Sequence, residues 1–451
     1  MGMLAGGYYP PLRERCDLYK ILYAFRICSF IGNKIRNVGN ENIMKLKLNT
    51  KVLLNIFIIA PLIKPVGLTY QNPANNTLLQ YWKLLSILLM TFVLLTHLRQ
   101  LTGLFSGKSI YRKGIIGLLI FEGIYLFNTI LRSVAFSDLL NNCLTCILLF
   151  LYIPIAGKYR RKESFNKSID FVFTLYLICQ IVSMVLERLN IVWLKAEDGT
   201  QTYFFGPDNY SAFMVIPMLG VLLYLGCKGS EKIRFRKKDL ILLGSLTVCY
   251  TWTGSVTAAC ALIMLVAASM LIGSNKKMAR IFSIKGLLFL FGLALFLILT
   301  VNIQNYFLSI FQLVGKGDSG FSLNSRTYIW ARALQLIQQN PLLGIGNFSE
   351  SEIASYVLYG ASHTHNIILE LLLRTGIIGT ISYLYFLIYP LIKYTRYYLR
   401  SKNVILLIAV YVYLVLSFMD FYPLIQAPIF LVSLIYICAD DMKNNVCAGK
   451  H

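Results

Sequence analysis

Apolar runs recur along this chain at the length a helix needs to cross a bilayer, and no other feature constrains the fold as strongly. Runs of about 15 to 25 residues fall near 52–70, 84–98, 114–131, 139–157, 169–186, 210–227, 240–253, 256–273, 284–301, 366–392, 404–418 and 421–439. A membrane-crossing helix takes about 20 apolar residues, whereas the strands of a membrane barrel alternate apolar and polar positions. The pattern therefore predicts an all-α, polytopic integral membrane protein of about 12 spans, with one long helical external loop between spans 9 and 10. Composition agrees. Charged residues make up 14% and hydrophobic ones 57%, where soluble domains carry about 25% charged. A water-soluble enzyme, a disordered scaffold and a membrane barrel are excluded.

The 43 Lys and Arg against 20 Asp and Glu give a formal charge of +23, which in a soluble protein would point to nucleic acid. Here the basic residues sit in short stretches between the apolar runs. With the N-terminus inside, 34 of the 43 fall in the N-terminal segment, the even loops and the tail. Six fall in odd loops and three within or beside spans. That asymmetry places both termini in the cytoplasm, with the bilayer and not nucleic acid as the partner of the charge. Cys143 and Cys146 have the spacing of a metal or redox pair but no His or second pair beside them.

Residues 1–51 read as a basic cytoplasmic segment without the apolar core of a targeting signal. Within it, Met44-Lys45-Leu46-Lys47 looks like a natural start, so the stretch before Met44 is expected to be dispensable. Spans one to nine occupy 52–301, the external loop 302–365, spans ten to twelve 366–439 and a cytoplasmic tail 440–451. Function is expected in the external loop, because long loops with a helical pattern of their own usually bind or catalyse.

In that loop Asn324 or Ser325 can cap a helix that Asn340-Pro341 stops. Ile329, Ala333, Leu336 and Ile337 form an apolar stripe, and Arg326 and Trp330, four apart, share a face. Spacing alone reads equally as a helix resting on the membrane surface with a snorkelling Arg. Pro341-Leu342-Leu343-Gly344-Ile345-Gly346-Asn347-Phe348 follows, a tight turn whose two glycines let the backbone approach another group. Ser362-His363-Thr364-His365-Asn366 then opens the tenth span. A His there loses basicity to the helix dipole and can accept a proton; a capping cluster is the alternative. Zinc would need more ligands than His363 and His365, with only Glu350 and Glu352 nearby, so no metal and no cofactor is expected.

The order Asn324, Arg326, Trp330, Ala333, then Asn340, Pro341, Gly344, Gly346, Phe348, then His365, Asn366, Leu369, Glu370, then Gly376 and Gly379 resembles the signature of the bacterial O-antigen polymerase and O-antigen ligase superfamily. Phe205-Gly206-Pro207-Asp208-Asn209 and Thr251-Trp252-Thr253-Gly254-Ser255 are similar to two weaker elements of that family. One position departs. Arg374 stands where an acidic residue is common, within an i, i+4 pair with Glu370.

The resemblance implies glycosyl transfer at the outer face of the bacterial cytoplasmic membrane, from an undecaprenyl-pyrophosphate oligosaccharide donor to a glycan acceptor. A flippase and a chain-length regulator are implied as partners, and the product is implied to be a capsule, lipopolysaccharide or other cell-envelope polysaccharide. His365 is the expected base and Arg326 the pyrophosphate ligand. Trp330, Asn366, Asn209, Arg374, His363, Gly344 and Gly346 are expected to contact substrate. Polymerisation of repeat units is favoured over ligation to another acceptor. A lipid-linked oligosaccharide flippase is the competing class, but it would concentrate polar and broken-helix features at the midplane of both halves, whereas the polar residues here crowd one external loop.

Overall fold

The computed structural model describes residues 50–67, 73–106, 109–132, 134, 137–160, 162–189, 191, 202–227, 234–274, 285–286, 289, 323–355, 357–358, 361–398, 402–418, 421 and 426–447. Among them the regular structure is helical, apart from an isolated bridge between Tyr203 and Gly206 and a bridge position at Arg234. The helices are α1 (Thr50–Ile59, continued by a 3-10 turn Ala60–Leu62), α2 (Pro73–Thr96), α3 (Leu98–Leu104), α4 (Tyr111–Leu131), α5 (Ser137–Pro154, continued by a wide turn Ile155–Arg160), α6 (Lys162–Arg188), α7 (Asp208–Gly226), α8 (Lys237–Thr253) and α9 (Val256–Ser274). After the external segment begins come α10 (Leu323–Gln339), α11 (Glu350–Ala354), α12 (Ile367–Tyr398), α13 (Val404–Ser417) and α14 (Gln426–Cys447).

Six of these helices are long and apolar enough to cross a membrane, and shorter apolar helices lie at Thr50–Leu62, Thr257–Leu271 and Val404–Ser417. The chain is thus a multi-pass, all-α membrane protein. All of the expected ninth span, 284–301, except residues 285–286 and 289 lies outside the described residues, as do the stretch before Met44 and the Gly315–Gly320 approach to α10.

Burial sorts the helices by position. Almost every residue of α13 is buried, and so is the run Ala212–Leu223 of α7, as expected of helices surrounded by other helices. On α2, by contrast, Leu78, Leu84, Leu88 and Phe92 are all exposed. In water such a stripe would be an aggregation surface; in a bilayer it faces lipid.

Two expected spans are modified by their own sequence. Span one ends early: α1 tightens at Ala60–Leu62 and Ile63 turns extended, because Pro61 and Pro65 remove donors and Pro65 disfavours helical backbone at Lys64. Span ten, expected to be continuous over 366–392, is α12, and it is broken at Gly376.

Candidate active site

The break in α12 organises the end of the bundle where the motif residues meet. Gly376 has φ 61 and ψ −166, which interrupts the helical ladder and leaves orphan donors and acceptors in apolar surroundings. The turn after α10 supplies their partners. The Pro341 and Leu342 carbonyls accept from Ile377 N–H (2.9 Å) and Ile378 N–H (3.2 Å), and the N–H groups of Ile345 and Gly346 donate to the Leu373 (2.8 Å) and Arg374 (2.9 Å) carbonyls. Contact is backbone to backbone. A Cβ on Gly344 would lie 2.5 Å from Thr375 N, one on Gly346 2.6 Å from Thr129 N, and one on Gly376 2.3 Å from the Leu342 carbonyl oxygen. All three have positive φ, which glycine alone adopts freely. The close approach read as a substrate contact at Gly344 and Gly346 is therefore an approach to the chain's own backbone.

Arg374 sits at the centre of this junction, 3% exposed. Its Nε donates to Glu370 Oε1 at 2.8 Å, its Nη1 to the Gly346 carbonyl (3.1 Å) and to Asn347 Oδ1 (3.3 Å), and its Nη2 to the Ser362 carbonyl. The guanidinium carbon also lies 4.3 Å from the centre of the Phe348 ring. Glu370 Oε2 in turn accepts the Thr364 N–H at 2.7 Å. The pair expected on one helix face thus ties three separated segments together. A guanidinium with this many partners acts as a tie between chain segments, where the sequence suggested a second cation open to substrate.

The histidines lie beside this tie. The helix begins at Ile367, and Asn366 is its cap, with Oδ1 accepting from Ile368 N–H (3.0 Å) and Leu369 N–H (3.2 Å) while Nδ2 donates to the Phe418 carbonyl (3.3 Å). His365 is therefore one residue outside the helix and not within its first turn. Its φ of 55 is the one left-handed non-glycine conformation among the described residues. The His363 and His365 ring centres are 4.1 Å apart, and Ser362 Oγ lies 3.0 Å from His363 Nδ1. What fixes His365 is the pair of buried neighbours on either side, Thr364 and Asn366, each bonded to a different element.

Helix α10 packs against the site. It starts at Leu323, so neither Asn324 nor Ser325 is its cap. Ile329, Ala333 and Leu336 are buried together with Phe348, Leu358 and Leu373. The apolar stripe thus packs on the turn and on α12, where spacing alone allowed it to rest on lipid. Trp330 Nε1 donates to the Thr364 carbonyl at 2.8 Å, which clamps α10 to the histidine segment. Arg326 is half-buried one turn earlier on that face, about 5–6 Å from Trp330 between Cβ atoms.

Asn209 makes its contacts apart from the histidine segment. At the start of α7 it accepts from Ser255 Oγ at 3.4 Å, so the two weaker motif elements meet each other. Beside them Ser211 Oγ and Tyr250 OH are 2.6 Å apart, and Gln180 Oε1 accepts from Phe205 N–H at 3.0 Å.

Sequence reasoning missed the end of α4. Asn128 donates to the Leu343 carbonyl, Thr129 Oγ1 accepts from Asn347 N–H at 3.0 Å, and Arg132 pairs with Glu352 while donating to the Ile345 carbonyl at 2.9 Å. Burial and the charge of Arg374 together hold the Arg132 guanidinium below its ordinary basicity. Glu352 also completes a capping box with Ser349. The Ser-x-x-Glu spacing was a readable signal for that box; nothing local signals a partner on α4. Among the described residues no group of three or more His, Cys, Asp and Glu is placed to hold a metal ion.

No curated protein matches the chain. The O-antigen ligase family model matches residues 240–384, a stretch running from α8 through α10 and the turn to a point in α12 just past its break. The motif order and this match fall on the same stretch, so this part of the chain is similar to the O-antigen ligase domain, and the match supports the resemblance to the O-antigen polymerase and ligase superfamily.

Proposed function

We propose that this protein polymerises undecaprenyl-pyrophosphate-linked oligosaccharide repeat units into a surface polysaccharide at the outer face of the bacterial cytoplasmic membrane, within a frame of twelve spans whose termini are both cytoplasmic. The observation that supports this most is the Trp330–Thr364 clamp, which holds the helix bearing Arg326 against the turn bearing His363 and His365. In this reading Arg326 grips the pyrophosphate as the anomeric C–O bond breaks, since a guanidinium can hold phosphate oxygens in pairs. The acceptor hydroxyl forms the new glycosidic bond and gives its proton to His365. Trp330, Asn366, His363 and Asn209 line or shape the site, and Arg374, Gly344 and Gly346 hold its frame. No metal takes part. Lipid-linked donor, glycan acceptor and bilayer are the partners, with a flippase and a chain-length regulator working alongside.

Ligation to a different acceptor is the second reading, favoured by the description of the matching family. Purified protein in liposomes, given lipid-linked repeat units alone, decides between them. A ladder of longer chains supports polymerisation. Product that forms only when a second acceptor is added supports ligation, and no transfer in either case overturns both.

A further inference from the structure

A cavity of about 330 Å³ lies between the Leu131 end of α4 and the C-terminal end of α10, with neither His363 nor His365 in its lining. That size is near the lower end for small-molecule sites. We propose that it is a subsite for an uncharged sugar ring of the glycan, several units along the chain from the bond being formed; the inference rests on the transferase reading and adds a second contact to it.

Three features of the lining carry the assignment. Its apolar part is Leu131, Leu336, Ile345, Phe348 and Val357, a surface suited to the C–H face of a pyranose. Its polar part includes the amides of Gln339 and Asn340, whose side chains make no hydrogen bond to other described residues. Amides offer donors and acceptors together, as sugar hydroxyls require. The charges in the wall cancel: Arg132 is paired with Glu352, and its remaining contacts go to the Ile345 and Asn347 carbonyls. A phosphate would find no open cation there, and a lipid tail would leave both amides unused.

Distance separates this cavity from the reacting centre. Leu336, Gln339 and Asn340 follow Arg326 by ten to fourteen positions along one helix and its end, about 15–20 Å at the rise of an α-helix. The sugar held here is therefore not the one whose bond forms at Arg326 and His365. It belongs to a glycan long enough to span both places, so the cavity makes the enzyme sensitive to acceptor length.

The test compares acceptors of one and of several repeat units in liposomes, with Gln339→Ala and the cavity-filling Val357→Trp. The ratio of kcat/KM for long over short acceptors is expected to fall about tenfold in both variants, the scale of one or two lost hydrogen bonds. An unchanged ratio overturns the proposal. Binding of a free, lipid-less repeat-unit oligosaccharide, followed by saturation-transfer NMR, provides a readout that does not depend on transfer. Signal in the wild type that is lost in both variants supports the subsite even if no transfer is seen and the transferase reading fails. Absence of signal, or equal signal in wild type and variants, overturns it.

Discussion

His365 combines a backbone held at φ 55 with a side chain next to His363, and the two properties can be separated by substitution. A non-glycine residue in this conformation stores on the order of 1 kcal/mol or more. His365→Gly should therefore melt above His365→Ala, while both lose turnover by about the 10² to 10⁴ expected for a missing base. Thermal unfolding in detergent and single-turnover transfer measure the two effects. His363→Ala should be mild by comparison; equal loss in both histidine variants, rescued by added zinc, would make the pair a metal site. At Arg326 the charge alone should not suffice. Arg326→Lys is expected to be nearly as inactive as Arg326→Ala at normal expression, because the paired N–H groups are lost, and full activity of the Lys variant would reduce Arg326 to a surface charge.

At the scale of elements, the site depends on a helix that is broken and then repaired by another part of the chain. Gly376→Ala should destabilise by several kcal/mol, since the new methyl would sit 2.3 Å from the Leu342 carbonyl in a backbone geometry alanine resists. Limited proteolysis should then cut the 341–348 turn, which the wild type protects. The Glu370–Arg374 pair belongs to the same joint. Glu370→Gln or Arg374→Met alone should each cost about 3–5 kcal/mol by leaving a buried charge alone, and the double variant should cost less than the two together. Additive losses would show that the pair is not coupled. These elements also mark how far the sequence could be read. The motif residues around Pro341 and Gly376 were visible as two signatures, yet nothing showed that one completes the other, because Ile377 and Ile378 continue the apolar run and mask the break. Arg374 looked like a departure from pattern until its partners Gly346, Asn347 and Ser362 were placed around it.

For the molecule as a whole, the apolar runs and the inside-positive charge lead to the expectation that everything before the first span is cytoplasmic. Protein begun at Met44 should insert and transfer sugar normally, and loss of insertion on removing residues 1–43 would contradict that. Cysteine-accessibility labelling from the two sides of a vesicle measures the orientation directly, with Arg132 and His363 positions expected outside.

Helix existence, approximate ends, membrane residence and the amphipathic face of α10 were all determined by the sequence alone, because each follows from local periodicity and from the cost of burying polar backbone in lipid. The resemblance to the O-antigen ligase domain was legible too, since its motifs are short. Only the tertiary structure decided what that face packs against, which end of α4 supports the turn, where His365 stands relative to its helix, and that two glycines thought to admit a substrate admit the chain itself. Those outcomes rest on contacts such as Asn128 to Leu343, 215 residues apart. Local spacing carries no information about pairs so distant, because bringing them together is the work of the packed helices between them.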